Sequence, residues 1–169
     1  MTYRAPPGTG IGHVHLRVAD LERAVRFYED VLGFAVQARF GTQAAFLGAS
    51  MADGSGDYHH HIGLNTWGSR DAAPPPPGHT GLFHAAILYP DRASLAEAVD
   101  RVIEAGHPLT GAADHGVSEA VYLDDPDGNG LELYRDRARA EWPREADGSL
   151  SMFNAPLDVD ALLRERPDA

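Results

Sequence analysis

The chain has 169 residues, no cysteine and a formal charge of −11 at pH 7. This length suits one well-buried domain, and the lack of cysteine excludes disulfides, thiolate metal sites and cysteine nucleophiles. The negative charge argues against binding to nucleic acid or to anionic membranes. The first residues lack the apolar core of a signal peptide, and no apolar stretch approaches the roughly 20 residues of a membrane-spanning helix. We therefore expect a cytoplasmic protein.

The first predicted unit, residues 11–67, begins with a strand that is opened by His13. Asp20 is suited to cap the helix that follows, and Gly33 is suited to end it. Strand-like segments then follow at Ala35–Phe40, Ala44–Leu47 and Tyr58–Trp67, which predicts the order βαβββ. The apolar residues of the helix recur at helical spacing and are Leu21, Ala24, Val25, Tyr28 and Leu32.

A proline-rich linker, residues 68–80, leads into a second unit that repeats this order over residues 81–135. Its prolines, 74–77, favour a stiff polyproline II spacer. His84 lies 71 residues after the first strand-opening histidine, and Gly106 lies 73 residues after the first helix-ending glycine, so the units form a duplication. The second apolar stripe is Leu95, Ala98, Val99, Val102 and Ile103. We predict one α+β domain, residues 11–135, whose two βαβββ units form a half-barrel or cleft.

The last segment, residues 136–169, is polar and carries only a short amphipathic stretch at 157–163. It contains no residue pattern that indicates catalysis. We expect it to be an arm that packs on the domain or on a partner subunit, and we expect a homodimer.

Alternation along the predicted strands places several polar side chains on the face opposite the helices. His13 and His84 open equivalent strands, and Glu132 lies between two leucines in the last strand. The same alternation places His59 and His61 on this face. Two histidines and one carboxylate, which leave positions open on a metal, are the ligand set of non-haem Fe(II) oxygenases. We therefore predict that His13, His84 and Glu132 bind one divalent metal.

The duplication, the helix LERAVRFYEDVLGF and the segment DPDGNGLEL resemble the vicinal oxygen chelate superfamily over Ile11–Tyr134. In metal-bearing members, two such units close around a divalent metal that chelates neighbouring substrate oxygens. The superfamily includes glyoxalases, fosfomycin-resistance thiol transferases, epimerases, antibiotic-binding proteins and extradiol dioxygenases. Glyoxalase I takes a second glutamate from the last strand of its first unit, whereas Tyr58–Trp67 contains no acidic residue.

The compact catechol-2,3-dioxygenase-like members resemble this chain most. The resemblance implies that His61 transfers protons and that Tyr122, ten residues before Glu132, and His115 bind substrate oxygen. It implies an enzyme that cleaves an aromatic vicinal diol with O2 and Fe(II), although the same ligands also bind Mn(II), Zn(II), Co(II) or Ni(II). A thiol transferase, a glyoxalase-like lyase and a small-molecule-binding resistance protein stay open as alternatives. The loop Gly48–Asp57 is expected to shape the substrate pocket.

Overall fold

The computed structural model describes residues 2–49, 58–76 and 78–167. The chain separates into two compact units, one made of Met1–Glu29 and Gly33–Ala72 and the other of Asp30–Leu32 and Ala73–Ala169. Each unit contains its own sheet and its own principal helix. This organisation confirms the predicted α+β class with two βαβββ units.

The first unit is a four-stranded mixed sheet with one helix. Its elements are β1 Val14–Arg17, α1 Leu21–Arg26, β2 Ala35–Phe40, β3 Ala44–Gly48 and β4 Ile62–Asn65. The strand order is β1-β4-β3-β2, and β1 pairs in parallel with β4. Asp20 caps α1 by accepting a hydrogen bond from Arg23 N at 3.1 Å, and a π-helical turn at Phe27–Val31 continues the helix.

The second unit repeats this arrangement and adds a short fifth strand. Its elements are β5 Ala85–Leu88, α2 Arg92–Glu104, β6 Leu109–Asp114, β7 Ser118–Asp124, β8 Gly130–Asp136 and β9 Ala155–Pro156. The strand order is β5-β8-β7-β6-β9, and β5 pairs in parallel with β8. Asp91 caps α2 through a 2.7 Å bond from Ser94 N, so both helices begin in the same way.

The helices bury the predicted apolar stripes with one exception. All five predicted residues of the first helix and four of the second are at most 8% exposed, whereas Ile103 is 42% exposed. Ile103 lies in the last turn of α2, about 80° around the helix axis from Leu95, and therefore at the edge of the buried stripe. The expectation that Ile103 is buried is wrong.

The C-terminal arm packs on the second unit. After a 3-10 turn at Arg139–Glu141, β9 pairs antiparallel with β6, and the helix α3 Val159–Leu163 packs on α2. Leu162 is fully buried, and Arg166 forms an ion pair with Asp100 of α2. The arm thus contributes both a strand and a helix to this unit.

Residues 68–76 and 78–80 form turns and irregular backbone, while Pro77 of the predicted spacer lies outside the described residues. The same holds for residues 50–57 of the loop that was expected to shape the pocket and for the last two residues of the arm. Across the described ranges, every helix is too short or too polar to cross a membrane.

Candidate metal and catalytic site

Four polar side chains of the second unit lie in a row on one face of its sheet. Glu132 of β8 is flanked by Tyr122 on β7 and by Ala86 on β5. His84 immediately precedes β5, and its Nε2 lies 2.8 Å from Glu132 Oε2. Tyr122 Oη lies 3.5 Å from Glu132 Oε1 and 2.7 Å from His115 Nε2. We call His84, Glu132, Tyr122 and His115 the polar row.

Alternation along β8 directs Glu132 into this row. Leu131 and Leu133 are 1% and 0% exposed, so they pack in the core and Glu132 points to the opposite face. Glu132 is itself only 9% exposed, which rules out an ordinary solvent-facing glutamate. A carboxylate with so little contact with water needs partners, and His84 and Tyr122 lie within reach of it.

Gly130 gives His84 the space to approach Glu132. A Cβ atom at position 130 would lie well under 3.0 Å from the carbonyl oxygen of Phe83 and 3.4 Å from His84 Cα and Cβ. The turn before it is built by Asp125, whose carboxylate accepts hydrogen bonds from the backbone of Asp127 and Asn129. Gly130 was not among the predicted site residues, although a glycine at the start of a strand signals close backbone approach.

The electrostatics of the row keep its phenol neutral. Burial, together with the charge and the hydrogen bond of the neighbouring Glu132 carboxylate, raises the pKa of Tyr122 above its ordinary value of 10. Burial and the carboxylates of Asp136 and Glu132 raise the pKa of Tyr134 in the same direction. Near neutral pH, Tyr122 therefore carries a hydroxyl proton that it can donate.

In the first unit, three imidazole rings gather beside the start of β1. The ring of His13 lies 4.4 Å from that of His60 and 6.4 Å from that of His59, measured between centroids. Burial, followed by the charges of neighbouring imidazoles, lowers the pKa of His60 below 6.5. Neutral imidazole is the form that binds metals, so the environment of His60 favours the form with one bare ring nitrogen.

The placement of His60 differs from the simple alternation of a long strand. The ring of His60 contacts His13 and lies 5.1 Å from Phe46, which belongs to the polar side of the sheet, although alternation predicts the opposite face. Strand β4 begins only at Ile62, and residues 58–61 form a bend. The alternation of side chains between the two faces of a strand therefore does not apply to residues 58–61. The predicted strand Tyr58–Trp67 is longer than the observed strand β4, Ile62–Asn65.

His61 keeps the backbone pairing of β4 and has a defined ring orientation. Its amide donates to Leu47 O at 2.8 Å, and its carbonyl accepts from Val14 N at 3.0 Å. The Ala49 amide donates to His61 Nδ1 at 3.2 Å. Because a backbone amide can only donate, Nδ1 is the acceptor and the neutral ring carries its proton on Nε2.

The two units differ at one equivalent pair of residues on neighbouring strands. In the second unit Ala86 faces Glu132, whereas in the first His15 faces Gly63. The His15 ring lies directly over Gly63, because a Cβ there would be 2.8 Å from His15 Cγ. In the second unit the small Ala86 faces the carboxylate of Glu132. In the first unit the imidazole of His15 fills the space above Gly63.

The structure thus brings together His84 and Glu132, two of the three predicted ligands, and places Tyr122 and His115 beside them. Within residues 2–49, 58–76 and 78–167, no three His, Asp or Glu side chains converge as a metal-binding group. The donor chemistry of His84 and Glu132 nevertheless suits a divalent metal, since an imidazole nitrogen and a carboxylate oxygen point at each other. His13 as the third ligand stays a prediction.

Comparison with known proteins gives the chain a family context. Residues 10–133 match the family described as the glyoxalase/bleomycin resistance protein/dioxygenase superfamily. The chain is 40% identical over 160 residues to a catechol-2,3-dioxygenase of Bacillus subtilis, covering 95% of this chain and 53% of the relative. It is 27% identical over 156 residues to an iron-dependent extradiol dioxygenase of Rhodococcus jostii, covering 89% and 52%. The chain thus spans about half the length of these two relatives.

Solved structures support the same fold. A lactoylglutathione lyase from Agrobacterium tumefaciens superimposes with a TM-score of 0.56 at 25% identity, covering 77% of this chain and 96% of that one. A glyoxalase/dioxygenase from Nostoc punctiforme gives a TM-score of 0.60 at 21% identity, covering 82% and 99%. The second likeness is one of fold alone.

Proposed function

The chain belongs to the glyoxalase/bleomycin resistance protein/dioxygenase superfamily, and we propose that it is an extradiol-type dioxygenase. The substrate would be an aromatic vicinal diol, cleaved with O2 at the ring bond beside the two hydroxyls. The observation that carries this proposal is the polar row, in which Tyr122 bridges Glu132 and His115. The names of the two dioxygenase relatives support the same reaction class.

In this proposal His13, His84 and Glu132 hold Fe(II), and Mn(II), Zn(II), Co(II) or Ni(II) would fit the same donors. When bound, the ferrous ion supplies open positions for two neighbouring diol oxygens and for dioxygen. The protein's own contribution is to orient the ligands. The 2.8 Å approach of His84 Nε2 to Glu132 Oε2 is suited to two donor atoms that share one cation.

Tyr122 and His115 are suited to bind the substrate oxygens. The Tyr122 hydroxyl lies next to Glu132, so an oxygen that binds beside this carboxylate meets a neutral phenol within hydrogen-bond reach. His115 accepts or shares the phenol proton through its 2.7 Å contact with Tyr122. The pair can therefore hold a proton beside the diol and release it as charge on the substrate changes.

His61 is suited to the complementary acid role. Its Nδ1 is occupied by the Ala49 amide, so Nε2 presents the only ring proton of the neutral form. A positioned N–H of this kind can donate to an oxygen that gains negative charge during ring cleavage. His13 and His60 lie in the same unit as His61, with their ring centroids 4.4 Å apart.

The lyase alternative is disfavoured by the same geometry. Lyase chemistry of the glyoxalase type needs a carboxylate base near the metal, and the first unit carries Gly63 where the second carries Glu132. The volume above Gly63 is taken by His15. A thiol transferase and a ligand-binding protein without turnover are the other outcomes that an experiment must separate.

The test is anaerobic loading with Fe(II), followed by a panel of catechols and oxygen. We expect oxygen uptake and a yellow ring-cleavage product, both lost in His84→Ala and retained in His79→Ala. His79 is exposed, and its Nδ1 lies 3.0 Å from the backbone carbonyl of Pro76. Thiol addition to fosfomycin with Mn(II) and no oxygen uptake would make the protein a transferase. Ligand-induced thermal stabilisation with neither reaction would make it a binding protein.

A further inference from the structure

The C-terminal arm reaches the polar row through a two-point contact with His115. The amide of Phe153 donates to the carbonyl of His115 at 3.3 Å, and His115 Nδ1 lies 3.1 Å from the carbonyl of Phe153. The contact continues the pairing of β9 with β6, in which Ala155 lies opposite Asp114. Continued without change, this register would set residue 154 opposite residue 115, so the register shifts by one residue where Phe153 meets His115.

The Phe153 ring anchors this contact at Gly116. A Cβ atom on Gly116 would lie 2.5 Å from Phe153 Cε1 and 2.9 Å from Pro143 Cγ, so both arm residues pack directly on the glycine backbone. Gly116 also has a φ of +77°, a conformation that other residues rarely adopt. The arm can approach His115 this closely only because the next residue has no side chain.

The arm decides which nitrogen of His115 carries the proton. A carbonyl oxygen can only accept, so the Phe153 carbonyl requires a proton on His115 Nδ1. In the neutral ring Nε2 is then a bare acceptor, and the 2.7 Å contact with Tyr122 must be donated by the phenol. The hydroxyl proton that Tyr122 donates to His115 cannot at the same time be donated to Glu132, 3.5 Å away.

We infer that Phe153 is a positioning residue of the active site, which fixes His115 as the Nδ1–H tautomer and so directs the Tyr122 proton away from Glu132. The consequence is that the Tyr122 oxygen keeps its lone pairs free on the side of Glu132, where it can accept a hydrogen bond from an incoming diol hydroxyl. The catalytic part of this inference rests on the proposed function, whereas the tautomer is a property of the protein alone. The arm, which carries no catalytic motif, thereby completes the site.

The tautomer can be measured without turnover. Long-range ¹H–¹⁵N NMR of the ¹⁵N-labelled, metal-free or zinc-loaded full chain distinguishes the two ring nitrogens, and His115→Gln assigns the signals. We expect the Nδ1–H form in the native protein and a mixture of forms in Phe153→Ala, which loses the anchor on Gly116. Met152→Ala is the matched control, because Met152 is the neighbour in the same segment and is 60% exposed, while the atoms nearest a Cβ on Gly116 belong to Phe153 and Pro143.

Kinetics of the iron-loaded enzyme give the second readout. We expect Phe153→Ala to lower kcat by about 10-fold to 100-fold, the size of effect seen when the hydrogen-bond partner that orients a metal-binding histidine is removed, with KM changed less. Phe153→Leu keeps apolar bulk over Gly116 and should restore both the tautomer and most of kcat. It also keeps the inference testable if the alanine variant folds poorly.

An Nε2–H tautomer in the native protein would overturn the inference, as would a Phe153→Ala variant that matches Met152→Ala in both tautomer and kcat. A native Nδ1–H tautomer that is lost in Phe153→Ala, in a protein that cleaves no catechol, would support the positioning role and overturn the proposed reaction. Ring cleavage by a protein whose native His115 carries its proton on Nε2 would support the proposed reaction and overturn the positioning role of Phe153. The two claims therefore fail separately.

Discussion

Substituting Gly130 by alanine should weaken metal binding at the proposed site, although Gly130 is not itself a proposed ligand. The new Cβ would lie well under 3.0 Å from Phe83 O, a separation that real side chains do not show. The obstacle is backbone, so the Phe83–His84 segment must move by more than half an ångström. Metal–ligand distances tolerate deviations of about 0.2 Å. The displacement therefore exceeds what a bound metal can accept from His84.

The expected size of the effect follows from this displacement. Disturbing a residue that orients a metal ligand typically lowers metal affinity about 10-fold to 100-fold. The added methyl group at position 130 also overpacks the protein, which costs about 1–3 kcal/mol in the free energy of unfolding. Competition of Zn(II) or Fe(II) between the protein and a chelator measures the first quantity, and chemical denaturation of the metal-free protein measures the second. Turnover should fall at least as far as the metal occupancy.

Gly111→Ala is the matched control on the same sheet. A Cβ at Gly111 would lie 3.6 Å from a ring carbon of Tyr122, which is ordinary van der Waals contact. This variant should keep metal affinity and melt near the native protein. If Gly130→Ala binds metal as tightly as Gly111→Ala does, the space above Gly130 does not position His84, and the reasoning is wrong.

Two further predictions concern the first unit. His61→Gln should lower turnover by roughly 10²–10⁴-fold with metal affinity retained. The exposed His79, which lies outside both groups of site residues, is the control, and His79→Gln should leave turnover unchanged. Equal kinetics in the two variants would deny His61 an acid role. Burial and nearby imidazoles lower the pKa of His15 and of His60 below 6.5, so below that pH the unfolded chain binds more protons than the folded one. The free energy of unfolding of the metal-free protein should therefore fall as the pH drops through 6.5. This slope should be shallower in His15→Gln, as denaturation at a series of pH values would show, and an unchanged slope would contradict the burial argument.

Much of the fold was predictable because its signals are local. The caps at Asp20 and Asp91, the glycines that end the helices and the apolar stripes each depend on a few neighbouring residues, and the duplication repeats them. Alternation also predicted correctly that Glu132 points away from the core. It failed at His60 because a bend before β4 breaks the strand period, and a bend of this kind leaves no mark on hydrophobic patterning.

The parts of the site that could not be predicted depend on distant pairs of residues. Phe153 lies 38 residues from His115, and its contact is made by a backbone carbonyl, which every residue possesses. The space that Gly130 leaves for His84 likewise becomes visible only once β5 lies beside β8. The metal triad, the dimer and the cytoplasmic location stay predictions from the sequence.

The His15 and Gly63 pair restricts how the first unit could have changed after duplication. A side chain cannot appear at position 63 while His15 keeps its ring there, because even a Cβ would lie 2.8 Å from His15 Cγ. In an ancestor or an engineered variant that carries an acidic residue at 63, the His15 ring must therefore turn to another rotamer or be replaced by a smaller side chain. Because the two positions are in contact, the effect of a substitution at 63 should depend on the residue at 15.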